Sequence, residues 1–245
     1  MSGPYPTGGM SPTGTTTPVY INFAEVSGKD KDVLCMAICN CKAVPDIGKK
    51  GQSLRQVCVS KLLRKRDFIK GNHSEHKAEI NYDMTKHPPV PIMDFDTKTM
   101  AHEWLPGWIT KHWDEDPTHP MWLPGEGYIR RPDVVIVKDP FKPPTQDNIK
   151  QVVEIKFDGD PWGEGQEAAY RSISGPGKLV ELTPAKCSCD DPDRKKRTED
   201  LKTEELVDEL KGMVDIIANK GGRGAGRCPR LPKKLPNLKL PNLKD

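Results

Sequence analysis

The chain has 245 residues, 35% hydrophobic and 30% charged, with a formal net charge of +3. That length suits one large domain or one domain with appendages. No run is apolar enough to span a membrane, and the near-neutral balance excludes a polycation that coats nucleic acid along its whole length.

Residues 1–18 (MSGPYPTGGMSPTGTTTP) are rich in Pro, Gly, Ser and Thr and predict a flexible leader. They lack the basic-then-apolar pattern of a cleaved signal peptide. DKDVLCMAICNC predicts a short helix. QSLRQVCVSKLLRKRDF predicts a better one, with Leu54, Val57, Cys58 and Leu62 at helical spacing and Arg and Lys opposite. HSEHKAEINYDM follows and carries Glu75 and Glu79. Residues 84–127 are irregular and rich in Pro, His and Trp. Trp104, Trp108, Trp113 and Trp122 are expected to build a small satellite core rather than a base-stacking surface. His112 and His119 lie there too, but their flanking residues do not fit a His–metal finger.

RRPDVVIVKDP contains a β-branched run, Val134 to Val137, that predicts a strand. QVVEIKF at 151–157 predicts a second, joined to the first by a short Pro-rich loop, so the two are expected to pair antiparallel. GQEAAYRSISG then predicts a short helix stopped by Gly175, with Gln166 and Tyr170 four residues apart on one face. KLVELTP predicts another strand. TEELVDELKGMVDIIANKGG predicts an amphipathic helix with Leu206, Leu210, Met213, Val214 and Ile217 as its stripe. The end, from Lys220, has a single acid among many Lys and Arg, and suits a polyanionic partner or a solvated tail.

Seven cysteines are unevenly spaced. Cys35, Cys39 and Cys41 cluster, Cys187 and Cys189 form a pair, and Cys58 and Cys228 stand apart. C-x3-C-x-C is not a usual zinc spacing. The odd number and uneven spacing do not make a disulfide framework, so reduced thiols or one or two local disulfides are expected.

The chemistry-bearing residues lie in the two strands. Side chains alternate along a strand, so Val153, Ile155 and Phe157 share one face, and Val152, Glu154 and Lys156 the other. A lone Glu–Lys pair on an exposed strand face is ordinary. Here Asp133 begins the preceding strand, and antiparallel pairing brings it toward Glu154. Two carboxylates can hold a hard cation, the cation can activate water and polarise a phosphate, and an adjacent Lys can offset developing negative charge.

P-D…E-x-K (Pro132-Asp133 and Glu154-Ile155-Lys156), followed by a helix with Gln166 and Tyr170, resembles the PD-(D/E)xK restriction-endonuclease fold, and within it the virus-type replication-repair nuclease (VRR-NUC) family. The block RRPDVVIVKDP…NIKQVVEIKF…WGEGQEAAY also resembles DNase toxin domains of type VI secretion effectors. The resemblance covers about residues 70–185. It implies an α/β (α+β) protein with a restriction-endonuclease-like central mixed sheet flanked by helices and interrupted by irregular Pro/Trp-rich insertions. The expected layout is a leader at 1–25, a helical extension at 26–70, the nuclease domain at 71–190, a C-terminal helix at 198–219 and a basic tail at 220–245.

It further implies Asp133, Glu154 and the Ile155 carbonyl as ligands of Mg²⁺, or alternatively Mn²⁺, with Lys156 as the catalytic lysine and Gln166 and Tyr170 in support. The family places an acid on an upstream helix; Glu79 is the expected residue, as metal ligand and catalytic group, with Glu75 the alternative. The implied function is hydrolysis of DNA phosphodiesters. The implied partners are DNA, a small acidic immunity protein and the type VI secretion apparatus, with no membrane. The implied location is the producer's cytoplasm, then that of a target bacterium reached without a signal peptide. An idle nucleic-acid-binding module and a repair or phage-type structure-specific nuclease are the alternatives.

Overall fold

The computed structural model describes residues 25–26, 28–194 and 196. The leader apart from Glu25, the amphipathic helix expected at 198–219 and the basic tail lie outside the described residues. In chain order the elements are α1 (Gly28–Ala43), β1 (Asp46–Ile47), β2 (Ser53–Leu54), α2 (Arg55–Ile69), β3 (His76–Ala78), β4 (Tyr82–Asp83), β5 (Val90–Pro91), α3 (Leu105–His112), β6 (Ile129–Arg130), β7 (Val134–Val137), β8 (Ile149–Ile155), α4 (Gln166–Ser174) and β9 (Leu179–Leu182). This is an α+β protein, as expected.

The central sheet has the order β3-β7-β8-β9. β7 pairs antiparallel with both β3 and β8, while β9 runs parallel to β8. The expected antiparallel pairing of β7 and β8 is therefore present, with Val134 opposite Val153. The β8–β9 connection crosses over through α4, as a parallel pair requires. Gly175, at φ +78, ends α4 where a side chain would be strained.

The two faces of β8 divide the core as alternation dictates. Val153, Ile155 and Phe157 pack with α1, α2, Val134, Val180 and Leu182. Val152 packs with Val135, Val137, Tyr170 and Ile173 on the α4 side. Ile149 joins that second face despite its odd number, because a register shift lets Val137 pair with Ile149 after Ile136 has paired with Gln151. One extra residue in a bulge reverses the parity of everything beyond it.

α1 and α2 share this core with the sheet, so residues 26–70 are continuous with it rather than an appendage. The stripe expected on α2 is rotated: Cys58, Val59 and Leu63 are buried, whereas Val57 is exposed. HKAEINYDM is not helical; it forms β3, a turn and β4.

The cysteines depart most from expectation. Three disulfides form among the described residues: Cys35–Cys187, Cys39–Cys189 and Cys41–Cys58. Two of them bridge 152 and 150 residues and tie α1 to the segment after β9. Sequence spacing could not reveal them because their partners meet only through the tertiary fold.

The insertion between β5 and β7 contains a satellite aromatic core. Trp113 is buried, stacks on His119 and Tyr128, and meets Trp122 edge-on. His119 is fixed by Asp83 and the Trp113 carbonyl. Trp104 departs from the expectation and stays exposed, lying over Gly107, where any Cβ would collide with the indole.

Candidate active site

Antiparallel register brings Asp133, at the start of β7, to the Glu154 end of β8. The Asp133 carboxylate accepts a hydrogen bond from the Ile155 amide at 2.8 Å. Glu154 is 2% exposed and Lys156 8%. The Lys156 ammonium is ion-paired with Glu154 Oε1 at 2.8 Å and donates to the Pro161 carbonyl at 3.0 Å and to Gln166 Oε1 at 3.3 Å. It also lies 4.9 Å from the centre of the Trp162 ring, a favourable position for a cation.

The Gln166 amide is oriented by its neighbours. Its oxygen accepts from Lys156 and from the Gly163 amide, and its nitrogen donates to Glu154 Oε1 at 2.7 Å and to the Tyr170 hydroxyl at 3.1 Å. Tyr170 in turn donates to the Arg131 carbonyl at 2.8 Å, two residues before Asp133. The helix residues expected to support the site are thus joined to both carboxylate-bearing strands. Burial pushes the Tyr170 hydroxyl up to about 12, so it acts as a neutral donor and not as a base near pH 7.

The two carboxyls are electrostatically strained. Burial first, and the negative charge of Glu154 second, push the Asp133 carboxyl up to about 7. Glu154 shares Oε1 with Lys156 and Gln166, whereas its buried Oε2 has no hydrogen-bond partner. A proton on Asp133, or a cation between the two carboxyls, relieves this arrangement. In metal-free buffer the raised pKa means that stability from this group is fully present below about pH 4 and is lost as the pH rises through about 7. Asp133→Asn removes the ionisation. It should therefore melt above the wild type at pH 8 without divalent cations, with the advantage gone near pH 4. A difference that does not change with pH in calorimetric melts would contradict this.

The upstream acid is placed differently from expectation. Glu79 follows β3 in a turn and its amide donates to the Asp133 carbonyl at 3.0 Å, but its carboxylate is taken by Arg64 at 2.6 Å and faces Arg131 at 3.7 Å. Among the described residues no three His, Cys, Asp or Glu side chains gather into one group. Glu75, the alternative, sits at the other end of β3 and pairs with Lys70. The helix that does reach the site is α2, and it contributes an amide. Gln56 Nε2 donates to the Ile155 carbonyl at 3.2 Å, the group expected as a backbone ligand. Sequence reasoning missed Gln56 because a polar residue in a helix's first turn carries no distinguishing signal. Trp162 was missed for a similar reason: only the turn back from β8 places it over Lys156, with its indole donating to Glu181 at 2.8 Å.

A scan of protein-family models finds no match to this chain, and searches of curated proteins and of solved structures find none either.

Proposed function

We propose that the protein is a divalent-metal-dependent nuclease that hydrolyses DNA phosphodiester bonds at Asp133, Glu154 and Lys156. One observation carries the reading: two opposed carboxyls, one with its pKa raised and the other with a buried, unpartnered oxygen, adjoin a buried lysine ion-paired with the second of them. Two buried carboxyls sharing one lysine are costly to a fold, and functional sites are where such strain collects.

Asp133 and Glu154 are oxygen donors of the kind Mg²⁺ and Mn²⁺ take, and the Ile155 carbonyl has a second lone pair free of the Gln56 amide. When bound, such a cation polarises a phosphoryl group and lowers the pKa of water. The protein's own groups do the rest. Lys156 supplies positive charge against negative charge developing on the phosphate. Gln166 holds the lysine and Glu154 in register, and Tyr170 ties that pair to the backbone leading into β7. The mixed sheet flanked by helices is compatible with the restriction-endonuclease resemblance.

Lys156→Ala should slow cleavage by about 10²–10³-fold. Mg²⁺ affinity should hold or rise, since Glu154 loses a competing cation. Calorimetric titration beside single-turnover cleavage separates the two quantities, and lost affinity with retained turnover would reverse the assigned roles.

The resemblance of the 130–170 block to toxin DNases extends the proposal to an antibacterial effector, restrained in its producer by a small acidic protein that covers an electropositive groove. The three disulfides support passage through an oxidising compartment. No helix among the described residues is long and apolar enough to cross a membrane. The test of the enzymatic proposal is incubation of the purified chain with supercoiled plasmid. Nicked or linear products are expected with Mg²⁺ and none with EDTA; folded protein inert with both Mg²⁺ and Mn²⁺ would overturn it.

A further inference from the structure

We infer that Arg64 and Arg131 form a binding site for a backbone phosphate of the nucleic acid, and that the Glu79 carboxylate occupies this site until substrate displaces it. The inference rests on the nuclease reading and adds to it a substrate contact and a built-in competitor.

Two guanidinium groups from different elements meet one carboxylate here. Arg64 extends from α2 and places Nη2 2.6 Å from Glu79 Oε2; Arg131, just before β7, places Nη2 3.7 Å from Glu79 Oε1. Both arginine side chains are about half exposed, at 52% and 53%, while the Glu79 side chain is 18% exposed. A pair of guanidinium groups converging on one anion is the arrangement that binds phosphate well, because their planar donor forks match its oxygens. The existing match is incomplete. One carboxylate serves two cations, and its contact with Arg131 is loose.

The backbone of Glu79 is also in an uncommon state. Its φ is +51, in the left-handed region that residues other than Gly, Asn and Asp seldom adopt. Its amide is anchored to the carbonyl of Asp133, and Arg131 is anchored through its own carbonyl to Tyr170. Arg131 and the Glu79 backbone are therefore fastened to the strand start that presents Asp133, and Arg64 reaches the same carboxylate from α2. Simple bracing of α2 against the sheet explains a surface ion pair but not the left-handed turn, and half-exposed pairs contribute little to stability. An anion that leaves easily suits a competitor for phosphate.

The test is fluorescence anisotropy of a labelled DNA duplex with the full chain in EDTA, so that nothing is cleaved, over about 50 to 200 mM salt. Arg64→Ala and Arg131→Ala should each weaken binding about tenfold and flatten the log–log salt slope by about 0.9. Glu79→Gln should tighten binding about three- to tenfold, by removing a charge that competes for both arginines. Glu79→Asn, which relaxes the left-handed turn and is too short to reach the arginines, should do the same and serves if the Gln variant folds poorly. Circular dichroism melts accompany each variant. Neutral Glu79 variants that bind no tighter, or folded arginine variants with wild-type affinity and slope, would overturn the phosphate site. Because binding is read without metal, failure of the plasmid assay leaves this outcome unaffected. Cleavage without the binding pattern would remove the phosphate site alone.

Discussion

Glu154→Gln is expected to reduce DNA cleavage by about a thousandfold or more while leaving the protein folded. Glu154 stands at the centre of the site. Its Oε1 takes the Lys156 ammonium and the Gln166 amide, and its Oε2 is the buried atom left without a partner. The amide substitution keeps the size and an acceptor for Lys156 but removes the charge that would hold a cation. It also removes one of the causes that raise the Asp133 carboxyl, so Asp133 should ionise at lower pH in the variant. Infrared or NMR titration of Asp133 reads that second effect. Cleavage within a few-fold of wild type would exclude Glu154 as a metal ligand, and an unchanged Asp133 titration would exclude the electrostatic coupling.

Loss of both long disulfides should have the largest effect on stability. On the chain-entropy account, a single bond closing about 150 residues stabilises the fold by about 5 kcal/mol. Cys35–Cys187 and Cys39–Cys189 are near neighbours, however. With either in place, the other closes only a small ring and adds about 2–3 kcal/mol. Replacing one pair by alanine should therefore be tolerated, whereas replacing both should remove about 7 kcal/mol. A domain's whole stability is about 5–15 kcal/mol, so the fourfold variant should be largely unfolded at 37 °C. Urea denaturation of the two single-bond variants and the fourfold variant checks this. A fourfold variant that unfolds at the wild-type urea midpoint would contradict it.

The parts of the fold that were legible in the sequence are those governed by local pattern. Val134–Val137 and the alternation through 151–157 predict β7 and β8. The short connection predicts their antiparallel pairing, which in turn brings Asp133 to Glu154. Gly175 marks the end of α4, and the spacing of Gln166 and Tyr170 correctly puts both on the face that meets Glu154. What was not legible depends on contacts between distant segments. Cys35 and Cys187 carry no mark of each other. Val57 and Val59 are equally apolar in sequence, and only the docking of α2 decides which is buried. Glu79 reads as one acid in a polar stretch. Its capture by Arg64 and Arg131 depends on a left-handed turn and on two elements arriving from different directions.

The central claim, that Asp133 and Glu154 hold a catalytic cation, is tested most directly by plasmid cleavage under a Mg²⁺ titration, with wild type and Asp133→Asn run side by side. The wild type should show saturable Mg²⁺-dependent cleavage, abolished by EDTA and restored by excess Mg²⁺. The Asn variant should be inactive at every Mg²⁺ concentration while melting at or above the wild-type temperature at pH 8 in metal-free buffer. Cleavage by Asp133→Asn with the wild-type Mg²⁺ dependence would contradict the account.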